Sequence, residues 1–133
     1  MIFIIHGAKG TGKTKNIIDR ANSTVSDGVV AFITDTDKYI YNIKHSIRVI
    51  NAKEYGIETE LGLLGFIRGL VAGNADIQHI FIDGSHRLCK KNVADMELFY
   101  NKIGEIADNV NVDITITVSI DDSEIPEFIK KYL

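Results

Sequence analysis

The chain has 133 residues, 45% apolar and 25% charged, and its fifteen Lys and Arg against eighteen Asp and Glu leave a net charge of -3. That length supports one hydrophobic core and excludes a two-domain enzyme, while the charge gives no general attraction to nucleic acid or anionic lipid. The lone Cys89 excludes an intramolecular disulfide and a cysteine-based zinc site, and is expected as a small buried hydrophobe in a reducing compartment or one indifferent to redox.

Ile2 to Ile5 is a run of bulky apolar residues that reads as a buried strand, closed by Gly7. Thr14 to Ala21 follows with Ile17, Ile18 and Ala21 on one helical face. Val29 to Thr34 is a second buried strand, ending at Asp35, Thr36 and Asp37, and Ile47 to Ile50 is a short third. Glu60 to Ala72 carries Leu63, Leu64, Ile67, Leu70 and Val71 at helical spacing. Gly62, Gly65 and Gly69 weaken that helix and are expected there for close packing. Ile80 to Ile82 is a fourth strand that delivers Asp83 at its end. Val93 to Asp108 repeats apolar residues at Val93, Met96, Phe99, Ile103 and Ile106, predicting a helix with Asn92 as N-cap. Asp113 to Ile120 alternates Ile114, Ile116, Val118 and Ile120 with Thr115, Thr117 and Ser119, a fifth strand. A last short helix is predicted from Glu124 to Tyr132, with Pro126 in its first turn.

Strands alternating with helices predict an α/β three-layer sandwich on a mainly parallel five-stranded sheet, folded as one domain over residues 1–133. Right-handed crossovers bring the loops after the strands to one edge, where such sheets bind ligands. No apolar run approaches the ~20 residues of a membrane span, and no basic segment precedes the N-terminal run as in a signal peptide. A cytoplasmic protein without membrane partners is expected.

The first of those loops is Gly7-Ala8-Lys9-Gly10-Thr11-Gly12-Lys13-Thr14, which is G-x-x-x-x-G-K-[ST] without a mismatch. Gly7, Gly10 and Gly12 let the backbone adopt positive φ and turn consecutive N–H groups inward, forming a concave nest for phosphate oxygens. The helix opening near Lys13 adds unpaired N–H groups and the positive end of its dipole. Lys13 then reaches the β- and γ-phosphates as a point charge, and the Thr14 hydroxyl is placed to ligate Mg²⁺. The competing description is a Gly-rich turn with a surface lysine. A dinucleotide fingerprint fits poorly, because Lys15 stands where its third glycine belongs.

The loop resembles the Walker A motif of P-loop NTPases, and His79-Ile80-Phe81-Ile82-Asp83 resembles their Walker B strand. The resemblance implies that Asp83 holds Mg²⁺ through water while Thr14 binds it directly; the alternative is an Asp that caps the next segment. It further implies catalytic parts for Lys13 and Asp83. The layout looks most like a minimal RecA-like or thymidine-kinase-like core, and is similar to small stand-alone bacterial ATP-binding proteins. Zinc-ribbon cysteines, an Asn-Lys-x-Asp guanine-reading motif and an Arg-rich lid are missing, so ATP is favoured by default.

The large ATPase branch places a Glu after the Walker B Asp to polarise water, and Gly84 occupies that position, which puts fast hydrolysis in doubt. His86 is a substitute base if its loop folds back, and otherwise a solvated or capping residue. Ser119 resembles the polar sensor of ATPases with an extra strand between their Walker strands; because Thr115 and Thr117 share its face, a merely polar strand face is the equal alternative. Asp35 and Asp37 stand where many P-loop kinases reach the phosphate acceptor, although a turn bonding nearby backbone is preferred for them. Tyr39 and Tyr41 either stack on a base or cover the sheet edge. Arg87, Lys90 and Lys91 read as a solvated basic face, with Arg87 or Arg68 as an arginine finger for a neighbouring subunit.

The leading expectation is Mg-ATP binding with slow or partner-dependent hydrolysis. The alternatives are a small-molecule or nucleoside kinase and a non-catalytic module whose nucleotide loop orders a protein interface. Little chain remains for a lid or a base pocket, which implies a protein partner or a second copy.

Overall fold

The computed structural model describes residues 1–133. The apolar runs form β1 (Ile2–Gly7), β2 (Val29–Thr34), β3 (Arg48–Asn51), β4 (Ile77–Ile82) and β5 (Asp113–Ser119). They make one sheet in the order β1-β5-β4-β2-β3, and every pairing is parallel, with no antiparallel exception. The last strand is therefore inserted between the first and the fourth. Its apolar alternation explains that place: Ile114, Ile116 and Val118 are fully buried on one side, and Thr115 and Thr117 are buried on the other.

Helices cover both faces unequally. α1 (Lys13–Ser23) is the only long helix on one side, where Ile17, Ile18 and Ala21 meet Ile5, Val30, Phe32 and Phe81, together with Ile43 and Ile47 from the β2–β3 connection. α2 (Glu60–Gly73) and α4 (Glu97–Val110) bury the opposite face in a larger core that takes in Leu63, Leu64, Ile67, Phe99, Tyr100 and Ile103. The architecture is a three-layer α/β sandwich. No helix is long and apolar enough to cross a membrane. Cys89 is buried, as its composition suggests, and burial pushes its thiol up to about 11.

Several expectations need correction. The helix predicted over Val93 to Asp108 divides into a 3-10 turn at Val93–Asp95 and α4 beginning at Glu97, because Met96 leaves helical geometry at φ -111° while its side chain enters the core. Asn92 precedes the 3-10 turn and its side chain makes no capping bond. The predicted C-terminal helix is likewise a 3-10 turn at Asp122–Glu124 followed by α5 (Glu127–Lys130). Pro126 is the N-cap of α5 and not part of its first turn; it holds Ile125 in extended backbone, which separates the two pieces. One helix has no counterpart among the predicted elements: α3 (Ser85–Cys89), five residues directly beyond β4. A side chain at Gly65 or Gly69 would meet nothing within 4 Å, so close packing within the chain does not account for those glycines; a Cβ at Gly62 would lie 3.0 Å from the Thr59 hydroxyl that caps α2.

On the α1 side of the sheet, His79 stacks on Phe81 with ring centroids 4.1 Å apart, and its Nε2 lies 2.9 Å from Thr115 Oγ1. Burial lowers the His79 pKa, opposed by Asp113 and aided by the N-terminal ammonium. A histidine whose folded pKa lies below its unfolded value, near 6.5, resists protonation when folded, so stability is lost as pH falls below that value. The thermal midpoint is expected to drop between about pH 7 and about pH 5. In His79→Gln the drop should be shallower by calorimetry, and an identical pH profile would show that the imidazole plays no part.

Candidate functional site

All five strands run in one direction, so their C-terminal ends share one edge, and most of the residues singled out from the sequence gather there. Gly7 stands in register with Ser119 on β5. The Asp83 N–H donates to the Ile33 carbonyl at 2.9 Å, which seats the end of β4 beside the end of β2, where Asp35 follows.

The Gly7–Thr14 loop turns back over this edge into α1. Gly10 and Gly12 are left-handed, at φ 83° and 84°. Gly7 is also at positive φ, 157°, and a Cβ there would in addition approach the Thr11 hydroxyl to 2.5 Å. Thr11 Oγ1 and Lys13 Nζ both donate to the Ala8 carbonyl at 2.7 Å, closing the loop on itself. The backbone N–H groups from Lys9 through Lys15 find no acceptor inside the protein. With Gly12 as its N-cap, α1 also has no side chain to occupy its first turn. Such a run of free amides at the positive end of a helix attracts an anion.

Asp83 is the centre of the site. It is 2% exposed, and its carboxylate accepts two hydroxyl donors from different elements: Thr14 on α1 at 3.1 Å and Thr117 on β5 at 2.8 Å. Thr117 Oγ1 in turn accepts the Gly84 N–H at 3.2 Å. Thr14 and Asp83, 69 residues apart in sequence, are thus in direct contact. A carboxylate that only capped the next segment would bond to α3; Asp83 instead bonds to α1 and β5, and Gly84 is the N-cap of α3.

Arg87 and Asp35 form the second feature. Arg87 Nε and Nη2 fork onto the Asp35 carboxylate at 2.8 and 3.1 Å, and Nη2 lies 3.9 Å from Asp83 Oδ2. Asp35 is 9% exposed and bonds to Arg87, not to nearby backbone as the expected turn would have it, while Arg87 itself stays 45% exposed. The Arg87 pKa is raised, chiefly by its bonds to Asp35. Burial, then the Arg87 guanidinium, lower that of Lys13, with Asp83 opposing. Of the other cations, Lys91 pairs with Glu60 and Lys90 is the left-handed C-cap of α3.

Two clefts open at this edge. A smaller one of about 240 Å³ is lined by Gly10, Gly12, Lys13, Thr14, Asp83 and Arg87, with Tyr39 at its rim. A larger one of about 550 Å³ adjoins it, sharing Lys9 and Ser119, and is bounded by Ala8, His86, Asn92 and Asp121. His86 is half-buried, its Nδ1 has no partner, and burial followed by Arg87 and Lys13 lowers its pKa. Three candidates lie elsewhere. Tyr41 is 94% exposed, Arg68 on α2 lines neither cleft, and Asp37 accepts from Asn51 Nδ2 at 3.2 Å outside both.

Thr117 bonds to Asp83 and is a residue of the candidate site that the sequence motifs do not single out. A hydroxyl on a buried strand must find a partner, and that requirement is the available signal. Thr117→Val strips a donor from a buried carboxylate and an acceptor from a backbone amide, so a loss of about 1 to 3 kcal/mol is expected in urea unfolding. An unchanged midpoint would mean that Asp83 is held by Thr14 alone.

Compared with known proteins, the chain matches no family model and no curated sequence, so the functional reading rests on the chemistry of these side chains.

Proposed function

We propose that the chain is a P-loop protein that binds Mg-ATP at the Gly7–Thr14 loop and hydrolyses it slowly or only with a partner. The observation that carries this reading is the contact of Thr14 with Asp83 beneath a loop whose amides are free. A loop that was merely a Gly-rich turn would have no reason to hold a buried carboxylate against the first turn of the helix it precedes. The insertion of β5 between β1 and β4 agrees with the resemblance to ATPases that have an extra strand there.

In this reading the amides of Ala8 through Thr14 bind phosphate oxygens, and Lys13 adds a mobile ammonium to the same anion. Its bond to the Ala8 carbonyl is then exchanged for phosphate. Thr14 and Asp83 offer Mg²⁺ a hydroxyl and a carboxylate, hard oxygen donors that suit this ion, with phosphate and water oxygens completing the shell. The ion, when bound, would neutralise charge on the phosphates. Slow hydrolysis follows from Gly84, which has no side chain to position water.

A second reading, phosphoryl transfer to a small hydroxyl compound, draws on the adjoining cleft. Its volume of about 550 Å³ is within the range of small-molecule sites, and His86 stands on its wall.

Isothermal titration calorimetry tests the leading reading. Lys13→Ala is expected to weaken Mg-ATP binding about tenfold to a hundredfold, from the loss of charge-assisted hydrogen bonds. Asp83→Asn should reduce the dependence of binding on Mg²⁺ while the circular dichroism spectrum stays that of wild type. No heat with wild-type protein, or equal heats with Lys13→Ala, would sink the assignment.

A further inference from the structure

The position after Asp83 contains no side chain, and the structure gives the reason. Gly84 is left-handed at φ 85°, and a Cβ there would collide with Arg87 Nη2 while lying 2.8 Å from Arg87 Cζ and 2.9 Å from Asp35 Oδ1. The guanidinium of Arg87 lies over the bare Cα. Where a carboxylate would direct water, this chain places a cation. A carboxylate and a guanidinium serve opposite ends: one attracts a proton, the other an anionic oxygen.

The fork on Asp35 uses Nε and one N–H of Nη2, and Nη1 makes no hydrogen bond within the protein. Arg87 is 45% exposed although its partner Asp35 is buried, and it lines the same cleft as Lys13 and Thr14. A guanidinium that is anchored along one edge, with its remaining donors free, is preorganised for an anion. Lys13 approaches the cleft from the loop and Arg87 from α3, so two cations converge on one space. Arg87 thus lines the cleft of the chain it belongs to.

We propose that Arg87, positioned by Asp35, binds the terminal phosphate of the nucleoside triphosphate and sets a preference for triphosphate over diphosphate. The inference rests on the reading of Gly7–Thr14 as the phosphate loop. Lys13 and the loop amides serve both nucleotides, whereas Arg87 gains a partner only when the third phosphate is present.

Calorimetry on the full chain with ATP and with ADP, each with Mg²⁺, separates the two ideas. Wild type is expected to bind ATP more tightly than ADP. Arg87→Ala should lower ATP affinity about tenfold to a hundredfold and change ADP affinity less than about twofold. Lys13→Ala should weaken both. Since Arg87→Ala leaves Asp35 buried without its cation, the double variant with Asp35→Asn, checked for folding by circular dichroism, should show the same selective loss. Equal loss for both nucleotides in these variants, or no loss, overturns the role of Arg87 while leaving the phosphate loop intact. Wild-type protein that binds neither nucleotide overturns the phosphate loop, and this inference with it.

Discussion

The architecture of the site depends on one buried carboxylate. Asp83 lies at the end of a central strand with almost no access to water, and an ion in that position is tolerated only with strong partners. It finds them in two hydroxyls that belong to the first helix and the last strand. The three elements it joins are distant in sequence, so the same bonds that solvate the carboxylate also fix α1 relative to the sheet. The Gly7–Thr14 loop, which leads into α1, is thereby held against the strand ends instead of hanging from β1 alone. Had Asp83 been solvated, the loop would be tethered at one end and by apolar packing only.

Much of the sheet was legible because a strand buried on both faces must be written as a run of apolar residues. The boundaries that failed have physical causes. Val93, Met96 and Phe99 are spaced by three, a period that a 3-10 turn and an α-helix satisfy alike, so the break at Met96 leaves no trace in the pattern. α3 is too short to show a period. At the site, Lys13, Thr14 and Asp83 were legible because each follows from a local motif. The Arg87–Asp35 fork was not: its members are 52 residues apart, and neither has a sequence neighbour that points to the other.

The two helical layers divide the labour of stability and chemistry. α2 begins with Thr59 accepting the Gly62 N–H, and it buries Leu63, Leu64 and Ile67 against a large core. α1 has Gly12 as its N-cap and forgoes a side-chain cap, at a cost of about a few tenths of a kcal/mol. Its place is secured instead by Ile17, Ile18 and Ala21 on the sheet and by Thr14 on Asp83. A cap would have occupied the very amides that face the cleft, and with glycine in its place they stay free.

The stacking of Arg87 over the bare Cα of Gly84 also constrains how the sequence can drift. A Cβ at position 84 would displace the Arg87 guanidinium, which is held in place by its bonds to Asp35. Residues 35, 84 and 87 are therefore coupled in space, one beyond β2, one before α3 and one within it. A side chain gained beside Asp83 would have to be met by movement of the Arg87–Asp35 fork and borne by the left-handed backbone of position 84.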